Sequence, residues 1–223
     1  MPSEISDDVS VHKSDETSYH SLCRSPLTAK TIRSEVAMPD VKHLSLQDLE
    51  AGMDLIKQSP ADVGVLKMIV RRPAVDQREV IQEGELSLEQ GLVGDTWKQR
   101  YNRHTPDGSA NPNAQVTVMN ARAVALLAQD EERWSLAGDQ LYVDLDLSVE
   151  NLPPGTRLVL GSAVLEVTAQ PHTGCDKFAD RYGAAATKFV NSPEGKRLHL
   201  RGINTKVVRG GTIRMGDWVR KES

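Results

Sequence analysis

The 223-residue sequence contains no apolar run approaching the roughly 20 residues that a helix needs to cross a bilayer. Its first sixteen residues carry five acidic side chains, and no apolar segment follows a basic start. A secretory signal requires such an apolar segment, and a mitochondrial transit peptide is poor in acidic residues. The sequence therefore predicts a cytoplasmic protein with no membrane partner.

An excess of positive charge is also missing. The formal net charge is -4 and the isoelectric point is near 5.9. A nucleic-acid-binding protein usually presents a basic stripe, and none is evident, so we expect no nucleic-acid partner. Binding of a small anion stays open, because a few local arginines can hold an anion without changing the global charge.

Cysteine is scarce, since only Cys23 and Cys175 occur. They lie far apart, match no zinc-site spacing and form no Cys-x-x-Cys redox pair. A disulfide between them would tie a predicted tail to a domain, so we favour free thiols. A lone intracellular cysteine is either a small buried hydrophobe or a reactive thiolate, and both alternatives stay open at this point.

Composition divides the chain into three parts. Residues 1–40 are polar and without helical or strand period, which predicts a disordered tail. Residues 41–60 predict a helical arm, with Ser45 as N-cap, Asp48 at the capping-box position and a stop at Ser59 and Pro60. Residues 61–223 predict one domain, mixed β with few α. Many short strands and glycine turns favour a β-barrel with short peripheral helices.

Within this domain, hydrophobic alternation and turn signals predict the strands, and the 3.6-residue period predicts the helices. Gly161 and Ser162 are a fitting pair for a two-residue II′ hairpin turn. Helices are predicted over residues 121–133, 176–181 and 184–190. Strands are predicted over residues 63–71, 77–82, 115–119, 141–147, 157–160, 163–169, 198–209, 212–214 and 218–220.

The most informative segment is Gln-Pro-His-Thr-Gly-Cys-Asp-Lys-Phe, residues 170–178. It places Cys175 at a strand–turn–helix junction, where unpaired N–H groups and the positive helix end favour a thiolate. His172 and Lys177 are close in sequence and could assist. Such a thiolate could bind a soft metal or carry a persulfide sulfur. The alternative is a buried, inert cysteine that closes the barrel end.

Other signals are weaker. Residues 97–104 combine basic and aromatic side chains, which suits either the rim of an anion site or a solvated loop. His172 and Cys175 are too few ligands for a zinc site. Gly-Leu-Val-Gly-Asp at 91–95 lacks the lysine and serine of a phosphate-binding loop and indicates only a turn.

Taken in order, the motifs resemble the MOSC family, named for the C-terminal domain of molybdenum cofactor sulfurases. The similarity spans residues 84–220, and the ordered series is much more specific than any one motif. The motifs are Gly-Leu-Val-Gly-Asp (91–95), Ala-Gly-Asp-Gln-Leu (137–141), Leu-Pro-Pro-Gly-Thr-Arg-Leu-Val-Leu-Gly (152–161), Leu-Glu-Val-Thr (165–168), His-Thr-Gly-Cys-Asp-Lys-Phe (172–178), Arg-Gly (201–202) and Val-Val-Arg-Gly-Gly-Thr-Ile-Arg-Met-Gly-Asp (207–217).

The resemblance implies a pyruvate-kinase-like β-barrel and a molybdenum cofactor (molybdopterin) in a cleft. Cys175 matches the family cysteine thought to be a molybdenum ligand or a sulfur carrier, with His172 as a further candidate catalytic residue. Basic groups would hold the pterin phosphate, with Arg201 placed by motif and Lys177 and Arg103 as further candidates. The implied activity is reduction of N-hydroxylated compounds or sulfur transfer.

The resemblance also implies separate partners. Full-length sulfurases have a pyridoxal-phosphate desulfurase domain, and other members have a second β-barrel and a ferredoxin domain; this sequence matches none of these. We therefore expect a separate electron donor or cysteine desulfurase, with pyridoxal phosphate only in the latter. Two other hypotheses stay open. One is a non-catalytic binding or regulatory module with a buried Cys175; the other is a cysteine hydrolase, which lacks a clear base-and-orienter pair beyond His172.

Overall fold

A computed structural model describes residues 42–102, 105 and 107–222, together with the backbone of Lys30–Arg33. Strand β1 (Lys30–Arg33) pairs antiparallel with β3 (Gln77–Ile81), so these four residues depart from the predicted lack of structure over residues 1–40. The rest of that segment, including Cys23, lies outside the described residues. The division of the chain into tail, arm and domain stays a prediction.

Seven strands close into a barrel in the order β2-β12-β8-β9-β10-β6-β7, and β7 pairs again with β2. Only β6 and β7 are parallel neighbours in the ring. Closure confirms the predicted β-barrel and leaves its strands fully paired around the ring. The barrel strands are β2 (Val63–Arg71), β6 (Val116–Asn120), β7 (Leu141–Asp144), β8 (Arg157–Leu160), β9 (Ala163–Val167), β10 (Ile203–Arg209) and β12 (Trp218–Lys221).

Alternation of side chains divides the core into two layers. Val118 and Leu141 belong to the cluster inside the barrel, whereas the next residues along, Met119 and Tyr142, belong to a second cluster that includes the helices. This is the two-residue period of a strand with apolar groups on both faces. A small sheet of β4 (Glu83–Ser87), β5 (Gly91–Leu92) and β11 (Gly211–Arg214) adds to the inner cluster.

Short helices cover the outside of the barrel, as predicted. The capping box is present, because Ser45 Oγ accepts from the Asp48 amide and Asp48 Oδ2 accepts from the Ser45 amide, both at 3.2 Å. No helix in the described part of the chain is long and apolar enough to span a membrane. The helices are α1 (Leu46–Ala51), α2 (Met53–Lys57), α3 (Ala121–Ala128), α4 (Asp176–Tyr182), α5 (Ala184–Asn191) and α6 (Pro193–Arg197).

Several predicted boundaries were wrong where the backbone adopts a positive φ. The helix predicted over residues 121–133 ends at Ala128, because Gln129 has a φ of 62° and a 3₁₀ helix follows. The strand predicted over residues 198–209 begins only at Ile203, because His199 has a φ of 48° in the preceding turn. Neither residue is a glycine, so the usual signal for such a turn is missing.

The hairpin prediction held, and other predictions missed short elements. Gly161 has a φ of 54° in the two-residue turn between β8 and β9, as a II′ turn requires. The strand predicted over residues 141–147 ends at Asp144. Strands β4 and β5 and helix α6 were not predicted, because each is only two to five residues long.

Candidate functional site

Loops at one end of the barrel form a cleft of about 780 Å³ that contains Cys175. Its volume is in the range of about 300–1,000 Å³ typical of small-molecule sites. The loop after β9 contributes His172 and Cys175 to it. Of the described residues that line it, Asp76 alone has a carboxylate. Six are cationic: Arg72, Arg78, Arg100, Lys177, Arg181 and Arg201.

Cys175 is a free, exposed cysteine at the N-cap of α4. Its carbonyl oxygen accepts hydrogen bonds from the amides of Phe178 at 2.9 Å and Ala179 at 3.0 Å. Its side chain makes no capping hydrogen bond. The thiol is therefore available to a ligand in the cleft, and the alternative prediction of a buried Cys175 is wrong.

Two amide side chains fix the loop that carries the thiol. Asn191, at the end of α5, donates from Nδ2 to the Gly174 carbonyl at 3.1 Å and accepts at Oδ1 from the Gly174 amide at 3.0 Å. A Cβ at Gly174 would lie 3.3 Å from Asn191 Nδ2, so glycine allows this close approach. Asn204 donates from Nδ2 to the carbonyls of Gln170 and Pro171, both at 3.1 Å.

Arg72 and Asp95 form a buried ion pair behind the cleft. Arg72 Nε lies 2.7 Å from Asp95 Oδ2, and Arg72 Nη2 lies 2.8 Å from Asp95 Oδ1. The side chains are only 6% and 0% exposed. Arg72 Nη1 also donates to the Gly138 carbonyl at 2.8 Å. The Gly-Asp motif at residues 94–95 is thus tied to the turn before β7.

Arg201 and Asp139 form a second buried pair. Arg201 Nη1 donates to Asp139 Oδ2 at 2.6 Å, and Nη2 donates to the Ala137 carbonyl at 2.9 Å. The Arg201 guanidinium also lies 4.9 Å from the centre of the Phe178 ring, within cation–π range. Arg201, predicted by motif to hold a phosphate, is therefore largely committed to protein groups, and only its Nε has no hydrogen-bond partner among the described residues.

His172 lies beside this pair, with Nδ1 at 3.5 Å from Asp139 Oδ1. Burial, and then the nearby charge of Arg201, lower the pKa of His172 to about 3, although Asp139 acts in the opposite direction. The ring is therefore neutral near pH 7. His172 cannot stabilise a Cys175 thiolate as a fixed cation, but it can accept or donate a hydrogen bond.

Of the remaining four cations, Arg181 lies 3.9 Å from Asp76 Oδ1, and the other three have no such partner in the described part of the chain. Arg78, Arg100 and Lys177 make no ion pair with any carboxylate in the described ranges. Desolvation, followed by the charges of Arg72 and Arg78, lowers the pKa of Arg100 to about 10. Desolvation, followed by Arg181 and Arg72, lowers the pKa of Arg78. These guanidinium groups repel one another, and a bound anion would reduce that repulsion.

Unpaired buried atoms also concentrate here. Among the described residues, six buried side-chain nitrogen or oxygen atoms have no hydrogen-bond partner. Four of them belong to Arg78, Asp139, His172 and Arg201. Leaving such an atom unpaired costs about 1–3 kcal/mol, and native proteins rarely retain several together. His172 Nδ1 and Asp139 Oδ1 face each other at 3.5 Å, so Arg78 Nε and Arg201 Nε are the donors that indicate a polar ligand or water at this end of the barrel.

The cleft brings together Cys175, His172, Lys177 and Arg201, four of the five predicted site residues. The fifth, Arg103, lies outside the described residues, although Arg100 from the same segment lines the cleft. The sequence analysis missed five residues of the site. Asp139 and Asp95 lie inside motifs that it quoted, whereas Arg72, Arg78 and Arg181 had no such signal.

The described residues contain no group of three or more His, Cys, Asp and Glu side chains that could hold a metal ion by themselves. A family model of the MOSC domain matches residues 94–220, more than half of the chain. Arg72 and Arg78 precede the matched segment. No curated protein matches the sequence.

Two solved structures are similar to this chain. The crystal structure of the YuaD protein from Bacillus subtilis has a TM-score of 0.54 and 15% sequence identity, covering 72% of this chain and 96% of that one. The YiiM protein from Escherichia coli has a TM-score of 0.47 and 17% identity, covering 71% and 70%. The TM-score for YuaD indicates a common fold, and its 15% identity leaves the chemistry to the residues of the cleft.

Proposed function

Because the chain belongs to the MOSC domain family, we propose that it binds molybdenum cofactor in the Cys175 cleft. Cys175 would be a ligand of the metal or would carry a persulfide sulfur. The observation that supports this most is an exposed thiol in a cleft whose described walls carry six cationic groups and one carboxylate. A pterin phosphate and a metal held by sulfur suit these two features.

The residues of the cleft fit such a cofactor in chemistry and size. A thiolate is a ligand for soft metals and can also accept a sulfur atom. Arg78 and Arg100 have guanidinium groups without a carboxylate partner among the described residues, and such groups bind phosphate oxygens strongly. The volume of about 780 Å³ is sufficient for a cofactor of this size.

We assign the phosphate to Arg78, Arg100 and Lys177. Arg72 and Arg201 line the cleft too, but each already holds a buried aspartate, so they would shape the wall instead of neutralising the ligand. This assignment moves the phosphate away from Arg201, the residue that the family motif favours. Arg103 stays a candidate from the sequence alone.

The cofactor, when bound, would supply two-electron redox chemistry; the protein would supply position and hydrogen bonds. A small rotation that shortens the 3.5 Å separation would let His172 Nδ1 donate to Asp139 Oδ1. Because the pKa of His172 is about 3, the ring stays neutral near pH 7, and Nε2 would accept a hydrogen bond from a ligand. Asp139 would orient the ring, and Arg201, bonded to Asp139 at 2.6 Å, would hold that carboxylate in place. This pair would orient a ligand in the cleft that also contains the thiol.

Two reactions suit this site. One is reduction of N-hydroxylated compounds, with electrons from a separate donor protein. The other is sulfur transfer, with sulfur from a separate pyridoxal-phosphate cysteine desulfurase. Mass spectrometry of Cys175 after incubation with such a desulfurase and cysteine distinguishes them, because only sulfur transfer requires one extra sulfur atom on this residue.

Metal and pterin analysis of protein purified from a cofactor-producing host tests the proposal. We expect molybdenum and pterin in the wild-type protein and loss of molybdenum in Cys175→Ser. Arg209→Ala is the matched control for charge, because Arg209 is exposed at the end of β10 distant from Arg201. Wild-type protein without molybdenum and pterin, or an unchanged molybdenum content in Cys175→Ser, would contradict cofactor binding through this thiol.

A further inference from the structure

A second cavity, of about 450 Å³, adjoins the Cys175 cleft. His172 and Arg201 line both spaces, so these two side chains stand between them. The inner wall of the second cavity is apolar, with Val167, Val190 and Ile203 each at most 3% exposed. Apolar walls with a few polar groups are characteristic of sites for small organic molecules.

Two polar groups on this wall are acceptors, whereas Lys196 and Arg201 Nε, which has no partner among the described residues, are donors. His199 Nδ1 lies 2.6 Å from the Leu147 carbonyl. Since a carbonyl only accepts, Nδ1 carries the proton, and in the neutral ring Nε2 is an acceptor. Asn204 uses Nδ2 on two backbone carbonyls, and its Oδ1 receives no hydrogen bond from any described residue. A ligand that complements the two acceptors must donate, and an acceptor on the same ligand would suit Arg201 Nε or Lys196.

The backbone of His199 is also unusual. Its φ of 48° is in the left-handed region, which a non-glycine residue rarely adopts. The turn is held by hydrogen bonds from the His199 amide to Lys196 and from the Gly202 amide to His199. Strain of this kind concentrates at ligand-binding sites. The hydrogen bond from His199 Nδ1 to the Leu147 carbonyl holds the imidazole at the cavity that it lines.

Charge narrows the class of ligand further. No carboxylate lines the cavity among the described residues, and Lys196 and Arg201 do, so a cation is disfavoured. An anion would face the lone pairs of His199 Nε2 and Asn204 Oδ1. We propose that this cavity binds a neutral, mainly apolar molecule that carries an N–H donor, of the class of aromatic amides and amines. Its ring would contact the apolar wall, and its N–H group would donate to His199 Nε2 or Asn204 Oδ1.

The shared wall gives this site a role. A ligand in the second cavity would lie against His172, the residue that we propose orients a ligand in the Cys175 cleft. The role of the second cavity as the substrate pocket of the reaction in that cleft rests on the proposed function. Binding of a ligand in this cavity does not, because it requires neither the thiol nor a cofactor.

The test is a titration of the nitrogen-15-labelled full-length protein with benzamide, a neutral probe with an N–H₂ group. For its nine heavy atoms we expect a Kd on the order of 1 mM, about 0.5 kcal/mol per atom. Amide shifts should centre on Ile203 and Asn204, and benzoate should bind at least tenfold more weakly. Ala169→Trp, which places a large side chain at an exposed position of the cavity wall, should weaken benzamide binding at least tenfold.

Cys175→Ser separates this inference from the proposed function, because it should abolish molybdenum binding and leave benzamide binding unchanged. Loss of benzamide binding in Cys175→Ser would place the probe in the other cleft and overturn the inference. So would benzoate binding as tightly as benzamide, or no shift at the solubility limit of the probe. If Ala169→Trp does not fold, Val149→Phe, at another exposed position of the cavity wall, replaces it. Benzamide binding of wild-type affinity in whichever of these two variants folds also overturns the inference.

Discussion

Four of the six cationic side chains that line the Cys175 cleft form two groups that differ in their partners. Arg72 and Arg201 are buried, each with its own aspartate, at N–O distances of 2.7 Å and 2.6 Å. Arg78 and Arg100 line the same cleft without an ion pair to any described carboxylate. The first group is part of the fold, since removing one partner leaves a charge uncompensated. The second group is available to a ligand.

The difference predicts opposite consequences for substitution. Replacing one residue of a buried pair should mainly lower the free energy of unfolding, because the remaining partner stays buried and charged with no counter-charge. At Arg78 and Arg100, stability should change little, and affinity for an anion should fall. Measuring both quantities on both groups therefore tests the division directly.

The largest effect is expected for Asp95→Ala. It leaves the Arg72 guanidinium buried without a counter-charge, so the free energy of unfolding should fall by about 3–5 kcal/mol. Urea titration followed by circular dichroism measures this. Arg100→Ala is the control and should change the same quantity by no more than about 0.5 kcal/mol. A cost below about 1 kcal/mol for Asp95→Ala would remove the distinction between the two groups.

His172 extends the comparison, because burial, and then the charge of Arg201, lower its pKa and leave the imidazole neutral near pH 7. Its pKa in the folded protein is about 3, below the ordinary value of 6.5. As pH falls below 6.5 the unfolded chain binds a proton that the folded chain does not. Stability is therefore fully present above pH 6.5 and is lost as pH falls toward 3. The slope is about 1.4 kcal/mol per pH unit, or about 2 kcal/mol between pH 6.5 and pH 5.

Urea titrations at several pH values, with His172→Gln as the comparison, measure this dependence. The glutamine keeps a polar side chain and does not titrate, so its stability should vary less over the same window. Parallel curves for the two proteins would show that His172 does not supply the pH dependence, and would place its pKa in the folded chain near the ordinary value.

Local patterns predicted a β-barrel but not which strands meet to close it. The capping box at Ser45 and Asp48 and the turn at Gly161 involve residues at most three positions apart, and both predictions were confirmed. The pairing of β7 with β2 joins distant segments and depends on the whole barrel. The positive φ of His199 has only a weak signal in the sequence, because histidine adopts such a φ more often than most residues but far less readily than glycine.

The candidate site was only half predictable for the same reason. Cys175, His172 and Lys177 lie in one short loop and helix start, so sequence proximity indicated them together. The aspartates that organise the wall come from elsewhere: Arg72 and Asp95 are 23 residues apart, and Arg201 and Asp139 are 62 apart. A single sequence shows each acid inside a motif without showing which arginine it will meet.

A smaller effect is expected for Arg100, one of the two arginines without an ion pair to a described carboxylate. Arg100→Ala should weaken binding of inorganic pyrophosphate about tenfold, since one charge-assisted contact is worth about 1.5–3 kcal/mol and some of it is lost to water. Titration calorimetry at low salt measures this. Arg209→Ala, which removes an exposed charge outside the cleft, should leave the affinity nearly unchanged. Equal losses in both variants would mean that net charge alone, and not this cleft, attracts the anion.

The smallest effect is expected in the loop that contains Cys175. Neutral amide side chains, and not charged groups, hold this loop in place. Asn191→Ala removes two hydrogen bonds to Gly174 and should lower the free energy of unfolding by about 1 kcal/mol. The alkylation rate of Cys175 with iodoacetamide should change several-fold, as measured on the Cys175 peptide by mass spectrometry so that Cys23 does not interfere.

Lys188→Ala, on the exposed side of the same helix, is the matched control and should leave that rate unchanged. Salt then distinguishes the charged contacts of the cleft from the neutral hydrogen bonds that hold the Cys175 loop. Raising ionic strength screens the contribution of Arg100 to anion binding, whereas the effect of Asn191 on Cys175 should persist, because neutral hydrogen bonds are not screened. If the effect of Asn191→Ala on the alkylation rate disappears at high salt, the position of the thiol depends on the charged cleft wall as well as on the Asn191 hydrogen bonds.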